Sequence, residues 1–269
     1  MTDPATDEVD LLESPDSEEV LAARLSLYGA AVDDPQRLGT FTDEELVGLD
    51  DLGRPPSAPS PWLTSLPRDE QDSAVTAALR GLTARGVYLA SPVDEASGTF
   101  VYRAVPEILA LLTMRRYTGC VVVAERQGSE ARDWVVLYEQ RAGLWLAEYV
   151  SHTGLHDFVL ASGEETAAAL TAWSGARGDV PAPEVDVVLT REQVAAQAPE
   201  LEPVGRCTAA ITVTRLVLGE TTTETWTGVF TGHEGSYVSA AVPDTGRVRY
   251  CGAAQDDVLA HWRTVLGVL

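Results

Sequence analysis

Residues 120–173 read CVVVAERQGSEARDWVVLYEQRAGLWLAEYVSHTGLHDFVLASGEETAAALTAW, and residues 207–262 read CTAAITVTRLVLGETTTETWTGVFTGHEGSYVSAAVPDTGRVRYCGAAQDDVLAHW. The two stretches follow one plan. Each opens at a cysteine, Cys120 or Cys207, and runs through a hairpin pattern. Each reaches a glycine followed by an aromatic residue, Gly143 before Trp145 and Gly235 before Tyr237. Each then turns at Thr-Gly (Thr153-Gly154, Thr245-Gly246), adds a strand and closes with a helix ending in Trp173 or Trp262. Short connections between strands imply antiparallel neighbours, and strands followed by a helix read as α+β rather than α/β. The expected fold is α+β with a quasi-two-fold internal repeat, a largely antiparallel sheet and helices packed on it.

Working outward, three regions are expected. Residues 1–40 form an acidic N-terminal extension, disordered over 1–16 and then helical from Ser17 to about Val32, with Val20, Leu21, Leu25 and Tyr28 on an apolar face. Residues 41–178 form the first half of the body and 179–269 the second. Thr42-Asp43-Glu44-Glu45 starts a short helix with acids in its first turn. Gly53 to Pro61 is a proline-rich connector. Arg68 to Arg85 is a clear amphipathic helix stopped by Gly86. A brief strand at Tyr88–Ala90, a turn at Glu95–Gly98 and a strand at Phe100–Ala104 follow. Pro106 then opens a leucine-rich helix ending at Arg115 and Arg116. In the second half, Val185–Leu189 reads as a strand and Thr190–Ala198 as a helix, with Gln193 at the capping-box position.

The formal net charge is −22 over 269 residues. It is concentrated early, with 15 acidic residues against 3 arginines in residues 1–60. Such a charge repels a phosphate backbone and argues against nucleic-acid binding, while it suits solubility or the steering of a basic or apolar partner. Every basic residue is Arg; the sequence contains no Lys and no Asn, a bias that GC-rich coding explains without reference to function. No apolar run reaches the roughly 18 residues of a membrane span. The acidic first residues lack the layout of an export signal. The expected location is the cytoplasm, with no membrane partner. Three widely spaced cysteines, Cys120, Cys207 and Cys251, read as reduced and buried thiols.

Motifs for chemistry are missing. The sequence has no GxGxxG after a strand, no P-loop, no GxSxG and no HExxH. His152 and His156 have the spacing of two metal ligands on a helix, but Thr153-Gly154 between them makes a turn, so both read as surface turn histidines. The paired acids (Glu18/Glu19, Asp33/Asp34, Glu44/Glu45, Glu164/Glu165, Asp256/Asp257) lie in tails or at helix starts, where capping and the helix dipole account for them. No catalytic residue, cofactor or metal is assigned. The aromatic residues Trp145, Trp226 and Tyr237 lie on hairpin strands, where they either pack the sheet against helices or serve as interface anchors. With Glu220 and Thr222 of the polar tip Gly219–Glu224 they make up the candidate partner-binding set, and exposed hairpins rather than a cleft are the expected working surface.

The order of elements resembles that of the EspG family, the specificity chaperones of type VII (ESX) secretion. Three features carry the resemblance: Leu82-Thr83-Ala84-Arg85-Gly86 at the end of the acidic-start helix, the proline-headed helix Pro106 to Arg116, and the terminal strand–turn–strand–helix pattern from Gly235 to Leu266. The resemblance covers about residues 40–269. It implies a non-catalytic cytosolic chaperone or adaptor that binds PE/PPE-like or related helical secretion substrates and keeps them soluble. The chain departs from the family in its acidic extension and its overall acidity, and no family binding residue transfers to a position here. The alternative is an immunity or regulatory protein that masks a toxin or another protein on the same scaffold; a small-molecule enzyme with a cleft between the halves is a third reading.

Overall fold

The computed structural model describes residues 18–50, 58–94, 99–129, 131–219 and 221–268. The expected disorder of residues 1–16, most of the proline-rich connector and the Glu95–Gly98 turn lie outside them. A ten-stranded antiparallel sheet forms the body. Its strands are β1 (Gln36–Thr42), β4 (Cys120–Gln127), β5 (Arg132–Glu139), β6 (Leu144–Val150), β7 (Leu155–Ser162), β8 (Asp186–Thr190), β9 (Ala209–Val217), β10 (Thr223–Gly232), β11 (Gly235–Val242) and β12 (Arg247–Ala253). A separate hairpin pairs β2 (Tyr88–Asp94) with β3 (Thr99–Ala104). The sheet order is β1-β7-β6-β5-β4-β9-β10-β11-β12-β8. It reads as two five-stranded halves joined back to back through β4 and β9.

The repeat is larger than the two stretches quoted above. Each half also takes its edge strand from the chain upstream: β1 pairs with β7, and β8 pairs with β12. Each edge strand ends in a threonine that caps a short helix. Thr42 caps α2 (Asp43–Leu49) and Thr190 caps α6 (Arg191–Ala195), both through capping boxes, with Glu45 and Gln193 reaching back to the cap. Sequence reading missed β1 because Gly39, with φ 125°, breaks its alternation at a register shift between Arg37 and Gly39.

The backbone ladders give the internal correspondence. Ala124 faces Val213 at the centre. Stepping outward from that pair through the successive strand pairings brings Trp134 onto Trp226, Tyr138 onto Phe230, Leu146 onto Tyr237 and Phe158 onto Tyr250. Gly154 and Gly246 do match, both left-handed at the tips of equivalent turns. The other sequence-level pairings slip. Cys120 corresponds to Ala209, while Cys207 lies before β9. Gly235 corresponds to Leu144 and not to Gly143. Trp262 corresponds to Leu170 and not to Trp173.

The two faces of the sheet are covered differently. On one, the closing helices α5 (Gly163–Trp173) and α8 (Gln255–Leu266) pack against each other across both halves. Ala167, Leu170, Val258, Trp262 and Val265 bury Val122, Ala124, Trp145, Val213 and Val229 beneath them. Ser174, just after α5, ties this layer together: its Oγ accepts from Trp262 Nε1 at 3.0 Å, and its carbonyl accepts from Thr231 Oγ1 at 2.6 Å. Ser162 starts α5 with a capping box to Glu165. Replacing Ser162 with Ala is expected to cost about 1 kcal/mol in urea unfolding, with no change in the unfolding slope.

On the other face, the first half lies under α1 (Glu18–Asp33), α2, α3 (Arg68–Ala84) and α4 (Pro106–Arg116). Tyr28, Leu46, Leu82, Leu111 and Met114 bury Val136, Leu146 and Phe158 there. Among the described residues, the equivalent face of the second half carries only α6, a 3-10 turn at Pro199–Leu201 and the four-residue α7 (Glu202–Gly205), with a small core around Val204, Tyr237 and Tyr250. That inequality is where a site can form.

Candidate partner-binding surface

The segment before each central strand decides how much of this face is covered. Before β4 it is the eleven-residue α4, an uninterrupted leucine-rich run. Before β9 the chain reads Pro199-Glu-Leu-Glu-Pro203-Val-Gly205. Two prolines four residues apart interrupt a continuous helix and leave a 3-10 turn (Pro199–Leu201) and the short α7. The space that a longer helix would fill is left as a cavity of about 800 Å³. Val194, Ala198, Leu201 and Val204 form one wall, and Ala210, Phe230 and Tyr250 form the floor. Gln197 shapes the turn between walls with a left-handed backbone, φ 51°.

Beyond the cavity the same face runs open along β9 and the outer part of β10, while Gly235, Tyr237 and Ser239 of β11 are buried. Thr214 of β9 lies opposite Trp226 of β10, and the Trp226 side chain is 61% exposed. Its symmetry mate makes the contrast. Trp134 is half-buried against the first-half core, and its indole Nε1 donates to Glu125 at 3.3 Å. The same position is a packed core edge in one half and an uncovered aromatic in the other.

The cavity's charged groups sit at its rim. Arg206 pairs with Glu234 at 3.1 Å and with Glu202 at 3.6 Å. Burial and the nearby Glu234 carboxylate push the Cys207 thiol up to about 11, so it stays a thiol at neutral pH and a poor nucleophile. Burial likewise raises the Tyr250 hydroxyl. The lining suits the insertion of apolar side chains.

The five residues assigned from sequence do not share one surface. Trp226 and Thr222 are exposed, on β10 and at the hairpin tip beside it. Glu220 lies outside the described residues. Trp145 is 1% exposed and faces the closing helices on the opposite side of the sheet. Tyr237 is 2% exposed inside the small second-half core. Burial leaves those two with packing roles and no free area to offer a partner. The cavity residues Ala198, Leu201, Val204 and Phe230 were missed. The usable signal was the two prolines in 199–205, where the first copy has a full helix.

A second cluster lies in the first half, and it corrects the reading of His156. Gly154 turns the chain, but His156 is already on β7 and only 1% exposed; His152 is the exposed one. His156 Nδ1 is 2.7 Å from Glu148 Oε1, and its Nε2 is 2.7 Å from Asp43 Oδ1. Glu148 also takes two hydrogen bonds from Arg115, each 2.9 Å, and one from Tyr138 Oη at 2.7 Å. Asp43 accepts from the backbone N–H groups of Trp62 and Leu63 at 2.8 and 2.9 Å. Burial alone would raise the Glu148 carboxyl, but Arg115 and His156 overcome it and hold it at about 2. Asp43 thus does more than complement a helix dipole: it is fully buried and anchors the 58–66 loop. Among the described residues, no group of three or more His, Cys, Asp or Glu side chains is arranged to hold a metal ion.

The fold is similar to that of EspG5. The structure in question is of the Mycobacterium tuberculosis type VII secretion system chaperone EspG5 in complex with a PE25–PPE41 dimer; it matches over 86% of this chain and 96% of EspG5, with a TM-score of 0.53 and 14% sequence identity. At that identity the likeness is one of fold. No protein-family model matches the sequence, and no curated protein does. Among the described residues, no helix is long and apolar enough to cross a membrane.

Proposed function

We propose that this chain is a non-catalytic cytosolic chaperone or adaptor of type VII secretion that holds a helical PE/PPE-like protein on the uncovered half of its sheet. The observation that carries the reading is that, among the described residues, no helix covers the outer part of β9 and β10, with the apolar cavity and exposed Trp226 beside it, in a fold like that of a chaperone solved with a PE–PPE dimer. A helix tip lying in a groove of this kind anchors through a few apolar side chains, and the cavity between Leu201, Val204 and Phe230 gives them a place to go. The rim ion pairs around Arg206 keep that mouth polar.

Co-expression with PE/PPE-like pairs from the same genome tests this. One pair is expected to co-purify with the wild-type chain as a stoichiometric complex. Ala198→Arg, which puts a charge on the half-exposed cavity wall, is expected to abolish recovery while the variant remains folded by circular dichroism. If no such pair co-purifies, or if the Ala198→Arg protein recovers it as well as wild type, the reading fails.

A further inference from the structure

The buried cluster in the first half is a separate feature from the open half-face, and its geometry sets a protonation requirement. A neutral imidazole has one N–H and one bare nitrogen. Both ring nitrogens of His156 lie 2.7 Å from carboxylate oxygens of different residues. With both carboxylates ionised, each contact is a hydrogen bond only if both nitrogens carry a proton. With one proton lost, a bare nitrogen would face a carboxylate oxygen at hydrogen-bond distance inside the core, where an unpaired polar group is costly.

The groups around the ring show which contact gives way. From β6, Glu148 faces Nδ1 and is held in turn by Arg115 of α4 and Tyr138 of β5. Arg115 and Arg116 also pair with Asp50 at the end of α2. From α2, Asp43 faces Nε2, and its other oxygen holds the N–H groups of Trp62 and Leu63. The neighbouring strand β1 offers Phe41 opposite His156 and no charge. Glu148 keeps its arginine when the ring is neutral; among the described residues, Asp43 has no cationic partner besides the ring. The Asp43 side is also tightly packed: a Cβ on Gly154 would lie 2.7 Å from both Asp43 Oδ2 and Trp62 Cβ.

We propose that His156 is a proton-operated clasp that fastens the start of α2 and the 60–66 loop to the sheet, and that loss of its second proton loosens that lobe. Burial opposes the charged ring, but the hydrogen bonds to Asp43 and Glu148 outweigh it and raise the His156 pKa above its usual value. A raised folded-state pKa means that the clasp's contribution is complete below the unfolded value near ~6.5 and is lost as pH rises through the folded value. His261 acts in the opposite window. It lies on α8, its pKa is pushed down to about 4 by burial, and it weakens the fold on the acid side. Cys207 and Tyr250, whose pKa values are also raised, lie in the second half, so an alkaline loss localised to residues 43–49 and 60–66 reports His156.

The test uses the full-length chain. Nitrogen-15 NMR of the histidine rings is expected to show His156 doubly protonated at pH 6 and titrating above the ordinary imidazole value of ~6.5. Hydrogen exchange, corrected for its intrinsic pH dependence, is expected to show opening at residues 60–66 and 43–49 that rises by up to about tenfold per pH unit between pH ~6.5 and the His156 pKa and levels off above it. Opening over α5 and α8 should not follow. His156→Gln, which stays neutral, is expected to show a loosened lobe at pH 6 with no further pH dependence, and His152→Gln should behave as wild type. A His156 ring that is singly protonated at pH 6, or corrected exchange at 60–66 that stays flat through the ring's titration, overturns the proposal. If His156→Gln does not fold, the two wild-type measurements decide it alone.

Discussion

Arg115→Ala is expected to be among the most damaging single changes to the fold. Arg115 is 7% exposed and supplies two of the hydrogen bonds that keep Glu148 ionised in a fully buried position. Removing it leaves a buried carboxylate with only His156 and Tyr138 as donors. Breaking one side of a buried ion pair typically costs about 3–5 kcal/mol, which in a chain of this size lowers the melting temperature by on the order of 10 °C. The contacts shared with Asp50 and the cation–π approach to Phe158 at 5.7 Å go with it. The double change Arg115→Met with Glu148→Gln is expected to cost clearly less than the two single changes added together, because it leaves no bare buried charge. Urea titrations of the four proteins measure that coupling. Additive costs would show that the pair does not work as a unit.

Trp226→Glu is the second large effect, and it falls on binding. The side chain is 61% exposed and belongs to none of the three hydrophobic cores, so stability is expected to stay within about 0.5 kcal/mol of wild type. As an interface anchor, its loss is expected to cost at least ~2 kcal/mol of affinity for a captured PE/PPE-like pair, roughly a thirtyfold rise in Kd. The internal repeat supplies its own control. Trp134 occupies the equivalent place in the first half, packed against a core and bonded to Glu125. Trp134→Ala is expected to lose stability on the order of 2 kcal/mol and to leave Kd unchanged. Calorimetry on both variants separates the roles; equal effects on Kd would erase the difference between the halves.

Much of the architecture was legible because it rests on local chemistry. The strand patterns of residues 120–162 and 209–253, the Thr190 capping box and the proline that opens α4 all act within a few residues, and each is found in the structure. What could not be read depends on contacts distant in sequence. The buried place of His156 is set by Asp43, more than a hundred residues away, and by a strand that resumes straight after the Gly154 turn. The slip of Trp262 onto Leu170 follows from hydrogen-bond register, which motif spacing does not fix. The candidate surface was half legible. Trp226, on a threonine-rich strand, is exposed because none of the described elements covers that part of the face. Trp145 and Tyr237 looked alike in sequence, and only the layers above them place both in cores.

The working surface is best tested by hydrogen exchange on the full chain with and without a bound PE/PPE-like pair. New protection is expected at residues 194–207, at 210–216 of β9 and at 224–230 of β10, with the closing helices α5 and α8 unchanged. Protection confined to α5 and α8, or to the outer side of α1, with those three segments unaffected, would contradict the assignment of the partner to the uncovered half of the sheet.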